Sequence, residues 1–201
     1  MIWCRKHTNN WRLCVNRLFT GEFTLVDSVT DAHRKRATEV VRTKTGRYSV
    51  GFLIYDPESD SIILVQQQRT AIISKDNPIG FIIEAPAGRC DRPESVKTTI
   101  AREAKEEVGA KIDEDQIEML NSGIPLAMSP GILDELMYLA FIKLRPGQLS
   151  PDRIFGIAEE GEVIVRKLIP ADEAHDMVCV DMKTKVLLLD FKNRRIASVT
   201  R

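Results

Sequence analysis

Between Gly88 and Ala110 the chain reads GRCDRPESVKTTIAREAKEEVGA, crowding Glu103, Glu106 and Glu107 onto one short helical segment where like charges repel. Asp91 is expected to cap this helix, Pro93 suits its first position and Gly109 its end, so the helix is predicted over residues 93 to 108. At about 100° per residue, Val96, Ile100, Ala104 and Val108 form a core-facing stripe. Glu107 falls inside that stripe, with Glu103 beside it and Glu106 further round, so the carboxylates form one patch at the edge of a buried face. An ordinary amphipathic helix with an Arg102–Glu106 pair at i,i+4 is the plain alternative. It leaves Glu103 and Glu107 as a like-charged pair near the core, which is unfavourable unless cations neutralise them. A hard divalent ion with oxygen ligands, Mg²⁺ or Mn²⁺, would do so.

A helix with such a stripe needs a sheet to pack on, and 201 residues suffice for one well-packed domain with a small accessory piece. VGFLIYD and SIILVQQQR read as apolar strands joined across a turn at PESD, followed by FIIEAPAG before the helix and LMYLAFIKL and EVIVRKL after it. Two helices are expected near ADEAHDMV and MKTKVLLLDFKNRR. Strands and helices mix without βαβ alternation, which indicates an α+β class or a mixed sandwich rather than a doubly wound sheet. Residues 1–45 read as β-rich strands and turns without a core of their own, and residues 46–201 as the main domain.

Lys+Arg and Asp+Glu each total 29, so no basic field points to nucleic acid. No apolar run is long enough to span a membrane, and the N-terminus MIWCRKHTNNW is interrupted by charge before a signal core could form. Cys4, Cys14, Cys90 and Cys179 lack metal or CxxC spacing and fit reduced, packing thiols, so a cytoplasmic protein is expected. His7, His33 and His175 have no ligand spacing between them, and Trp3 and Trp11 are either isolated anchors or contacts to a partner subunit.

The glutamate segment resembles the Nudix hydrolase signature. Gly88, Glu94, Arg102, Glu103, Glu106, Glu107 and Gly109 keep its spacing, while its two apolar slots hold Ala104 and Ala110, smaller than the usual aliphatic residues. LVQQQR, IIEAPAG, SPGILDE and GIAEEGEVIVRK are similar to segments of the ADP-ribose pyrophosphatases and related nucleoside diphosphate sugar hydrolases. The proline that marks this subfamily falls at Pro125 by count and at Pro130 by motif context.

The resemblance implies a Nudix fold and metal-dependent hydrolysis of the pyrophosphate bond of a nucleoside diphosphate sugar. ADP-ribose stands foremost, with GDP-mannose or another such sugar, or a non-catalytic sensor, as alternatives. It also implies that Glu103, Glu107 and the Ala87 carbonyl bind Mg²⁺ with Glu162, that Glu106 shares or orients the cluster, and that Arg102 holds the carboxylates in place. Glu160 is the implied water-activating base, with Glu159 as the alternative, and Glu84 an outlying acid. Arg69 is implied to meet a phosphate or sugar, Arg42 the nucleobase and Glu135 the distal sugar. A homodimer is expected, residues 1–45 crossing to the neighbour, because short open strands seek a partner edge.

Overall fold

The computed structural model describes residues 2–6, 12–31, 37–156, 163–174 and 176–199. The chain divides into two compact units, residues 1–49 with 125–137, and residues 50–124 with 138–201.

In the first unit four antiparallel strands run in the order β1 (Ile2–Lys6), β2 (Arg12–Thr20), β3 (Thr24–Asp31) and β4 (Thr38–Thr43). The segment 125–137 belongs with these strands because its backbone pairs with them. Val41 donates to the Ile132 carbonyl at 2.7 Å, and Asp134 donates back to Val41 at 3.2 Å. Sequence patterning had grouped this segment with residues 46–201, since such pairing leaves no local trace.

The second unit holds a mixed sheet built around β5 (Tyr48–Asp56) and β6 (Ser61–Gln68). Its backbone order is β9 (Leu136–Lys143), β5, β6, β11 (Ile164–Pro170) and β10 (Ile154–Phe155). Strand β7 (Phe81–Glu84) adds to β6, and β8 (Ala87–Arg89) adds to β5. Alternation along the strands decides which helix each face meets. Phe52, Ile54, Ile63 and Val65 form one cluster with Ile100, Ala104 and Val108 of helix α1 (Val96–Val108). Tyr55 points the other way, and its ring lies 5.3 Å from that of Phe191 on the long C-terminal helix (Met182–Val199), which Phe141 also meets at 6.2 Å. The sheet is thus packed between two helices, and each fully buried Ile, Leu or Phe contributes about 1.5–3 kcal/mol to that packing. A short helix, Ala171–Ala174, precedes the long one. Among the described residues, no helix is long and apolar enough to cross a membrane.

Helix α1 begins later than residue 93. Ser95 is its N-cap, with extended backbone and a side-chain oxygen that accepts from Thr98 N at 3.0 Å. Pro93 disfavours helical backbone at Arg92, and the Ser95 hydroxyl stands three residues before the orphan amide it satisfies. The C-terminal end is where the sequence puts it. Gly109 is left-handed, at φ 67°, and Ala110 N returns to the Ala104 carbonyl at 3.0 Å. Buried Arg166 then donates to the Val108 and Ser150 carbonyls at 2.8 and 2.9 Å, satisfying a helix-end acceptor. A Cβ on Gly109 would stand 2.7 Å from the Phe155 ring. Gly109→Ala should therefore lower stability by at least about 1–2 kcal/mol, the usual strain of a left-handed non-glycine residue, as measured by urea unfolding.

Candidate active site

The segment that follows β7 carries the chain beneath α1. Phe52 N donates to the Pro86 carbonyl at 3.1 Å, which holds the segment against β5. Ala87 N then donates to Glu107 Oε2 at 2.9 Å. At the next residue, a Cβ would lie 2.0 Å from Glu103 Cδ. Gly88 is therefore required by close approach rather than by a turn, since any side chain would displace the Glu103 carboxylate.

Arg102 organises the acids around it. Its Nε donates to Glu94 Oε1 at 3.0 Å, and its Nη1 reaches Glu103 Oε1 at 2.7 Å and Glu106 Oε2 at 2.9 Å. Thr99 Oγ1 also donates to Glu94 Oε1, at 3.1 Å. Glu94 can serve both because the helix starts after it. Burial works against the Arg102 charge, but the Glu103 charge and the bonds from Glu94, Glu106 and Glu103 outweigh it and hold the guanidinium firmly protonated. Burial likewise opposes ionisation of Glu94, yet the Arg102 and Thr99 bonds bring its pKa below the ordinary value.

Glu103 behaves differently. Burial raises its pKa from 4.5 to about 7, against the pull of Arg102 and with the help of the Glu106 and Asp91 charges. Glu107 is 7% exposed. These groups open onto one cavity of about 320 Å³, lined by Ala87, Gly88, Arg102, Glu103, Glu106 and Glu107 among others. Its donors are all hard oxygens, the set that suits Mg²⁺ or Mn²⁺ and not a thiophilic metal. Among the described residues, no three acidic, histidine or cysteine side chains converge at metal-ligand spacing. Two of the three helix carboxylates are turned instead to Arg102, and the third to the Ala87 amide. The cavity thus fits a hard cation by its chemistry, with the carboxylates held apart by protein donors.

The remaining expected site residues are spread more widely. Arg69, just past β6, donates through Nε to Glu84 Oε1 at 2.6 Å and does not line the glutamate cavity. Arg42 and Glu135 belong to the first unit, where Arg42 donates to Asp27 at 3.0 Å and to Asp134 at 3.1 Å. Hydrogen bonding from Arg17, against the effect of burial, keeps the Asp27 carboxyl below its usual range. Glu159, Glu160 and Glu162 lie outside the described residues, as do His7, Trp11, His33 and His175. Lys183, whose Nζ meets Glu84 Oε2, was missed in the sequence, since one lysine in a helix that also carries Lys185 and Lys192 gives no signal.

The raised Glu103 pKa has a sign that stability measurements can read. Between pH 4.5 and about 7 the folded state keeps a proton that the unfolded chain releases, so this group's contribution falls as pH rises through that window. In EDTA, Glu103→Gln should gain stability over wild type as pH increases from 4.5, with the gain levelling off above pH 7. Urea unfolding across that range checks it, and a difference that does not change with pH would refute the assignment.

Comparison with known proteins bears on the whole arrangement. The chain is 28% identical over 167 residues to the GDP-mannose pyrophosphatase of Enterobacter sp. (strain 638), covering 81% of this chain and 83% of that protein. It is 29% identical over 195 residues to the GDP-mannose pyrophosphatase of Cronobacter sakazakii (strain ATCC BAA-894), covering 93% and 97% respectively. With the protein of the same name from Yersinia pestis (strain Pestoides F), identity is 33% over 140 residues, covering 68% and 66%. The NUDIX domain family matches residues 45–188, a span that takes in the cavity, its helix and the sheet behind it. The chain therefore belongs to the NUDIX family and is a pyrophosphohydrolase.

Proposed function

We propose that the chain hydrolyses the diphosphate bond of a nucleoside diphosphate sugar, with GDP-mannose the first candidate. Water and GDP-mannose would give GMP and mannose 1-phosphate. The observation that carries this reading is the single cavity in which Arg102, Glu103, Glu106 and Glu107 meet the Ala87–Gly88 segment. The choice of sugar rests on the relatives, which are named GDP-mannose pyrophosphatases across most of this chain's length. ADP-ribose, foremost from motif resemblance alone, becomes the comparison substrate.

Nudix hydrolases generally use divalent metals, and the carboxylate and carbonyl oxygens of the lining suit Mg²⁺. Glu103, Glu107 and the Ala87 carbonyl would hold it, with Glu162 as a further ligand. Bound there, Mg²⁺ supplies charge neutralisation for the diphosphate oxygens. Arg102 would hold Glu103 and Glu106 in place, itself anchored to Glu94 through Nε. Glu160 is the proposed base that accepts the proton of the attacking water, and Arg69 contributes guanidinium donors to a substrate phosphate. Arg42 and Glu135 are assigned to the base and the distal sugar. Leu18, Phe19 and Phe23 are 50%, 56% and 61% exposed, which supports a homodimer through the N-terminal strands.

A turnover panel of GDP-mannose, ADP-ribose, ADP-glucose and UDP-glucose, with and without Mg²⁺, tests the reading. GDP-mannose should turn over fastest and only with metal, and an enzyme inert on all four would overturn it. Glu107→Gln should keep the fold, lose most turnover and need more Mg²⁺ for saturation. Glu160→Gln should lower kcat by about 10²- to 10⁴-fold, as expected when a general base is removed, with metal saturation unchanged.

A further inference from the structure

Glu84 is 2% exposed, and both of its oxygens are committed. Oε1 accepts from Arg69 Nε at 2.6 Å, and Oε2 accepts from Lys183 Nζ. Lys183 is itself only 5% exposed and also donates to Asp181 Oδ2, at 2.9 Å. Asp181 in turn accepts from Thr184 N at 2.9 Å, as an N-cap does for a helix start, and from the Thr184 hydroxyl. Thr184 Oγ1 accepts from Ala85 N at 2.7 Å. The start of the C-terminal helix is therefore clamped to the residues immediately before Ala87 and Gly88, and Arg69 hangs from the same carboxylate.

We infer that Lys183 is a positioning residue that acts through Glu84 to aim Arg69 at the substrate diphosphate. The physical reason is the competition for Glu84. A guanidinium beside a carboxylate prefers a two-point fork, with two nitrogens on two oxygens. Lys183 occupies Oε2 and so limits Arg69 to one contact through Nε. Among the described residues, Nη1 and Nη2 of Arg69 make no hydrogen bond or ion pair, and the side chain is 41% exposed. The guanidinium is thus anchored at one edge and open at the other, the arrangement needed to grip a phosphate. Without Lys183, the unsatisfied Oε2 in a buried site would draw Arg69 into a full fork and withdraw its open edge. This inference rests on the reading of Arg69 as a substrate contact.

The test uses Lys183→Met and Arg69→Met singly and together, assayed on GDP-mannose with Mg²⁺, with a crystal structure of the lysine variant. In that structure Arg69 should place two nitrogens on Glu84. Lys183→Met should raise KM on the order of tenfold, the scale of one lost charge-assisted hydrogen bond, with kcat within about twofold. Arg69→Met should raise KM by as much or more, and the double variant should be no worse than Arg69→Met alone. Lys183→Arg, which keeps a cation on Oε2, should restore KM. If Lys183→Met does not fold, Lys183→Gln takes its place, with a smaller rise in KM and the same lack of additivity. A lysine variant with wild-type KM, multiplicative effects in the double variant, or Arg69 still on one oxygen would overturn the inference. An Arg69→Met enzyme with unchanged KM would instead refute the substrate contact, while the variant structure still reports whether Lys183 controls the geometry.

Discussion

The Arg102 guanidinium is the interaction on which the rest of this site depends. It is 15% exposed and binds Glu94, Glu103 and Glu106 at once, so three carboxylates that would repel one another share a single delocalised cation. Such a half-buried cluster is weak evidence for stability, since desolvation offsets much of the attraction. Its value is geometric. A planar guanidinium fixes directions as well as distances, and a lysine ammonium at this position could not hold three acids in one plane. The acids are thereby held at the cavity edge, turned to Arg102 rather than towards one another.

That arrangement is only as rigid as the helix that carries it. Apolar residues of α1 lock one face to the sheet, while each end is fixed by a polar device, Ser95 at the start and Gly109 with Arg166 at the finish. The opposing wall is fixed separately. Thr184 holds Ala85, the Phe52 amide holds Pro86, and the Ala87 amide binds Glu107. Helix and wall therefore meet at a set distance, so close at Gly88 that only a hydrogen fits where a side chain would be.

The spacing of Arg102, Glu103, Glu106 and Glu107 was legible because one helix repeats it; the structure sets Glu94, Glu103 and Glu106 on Arg102 and Glu107 on the Ala87 amide. VGFLIYD and SIILVQQQR were likewise legible as apolar strands, but not which residues face α1, since both strands are buried along most of their length. The helix start was not read correctly, since Asp91 and Pro93 look like a cap while Ser95 makes the bond. Longer-range features had no sequence signal. Lys183 and Glu84 stand 99 positions apart, and Arg42 and Asp134 stand 92 apart, so neither pair appears in any window of periodicity. Gly88 was visible as a motif position, but its cause, the Glu103 carboxylate behind it, is a tertiary contact.

Charge favours a third party between this cavity and a diphosphate substrate. Asp91, Glu103, Glu106 and Glu107 line it against Arg89, Arg92 and Arg102, so with every acid ionised the lining is negative. Burial resolves this in part by raising the pKa of Glu103 to about 7, which lets a proton cancel the excess near neutrality. A proton, however, does nothing for a diphosphate, which would bring further negative charge to the remaining carboxylates. A divalent cation held by Glu103, as proposed above, would do both, favouring the ionised carboxylate and supplying positive charge for the phosphates. Under the proposed assignment, the carboxylate least comfortable as an anion in this cavity is the one with most to gain from a cation, so the burial that penalises its charge would tie its ionisation to metal binding.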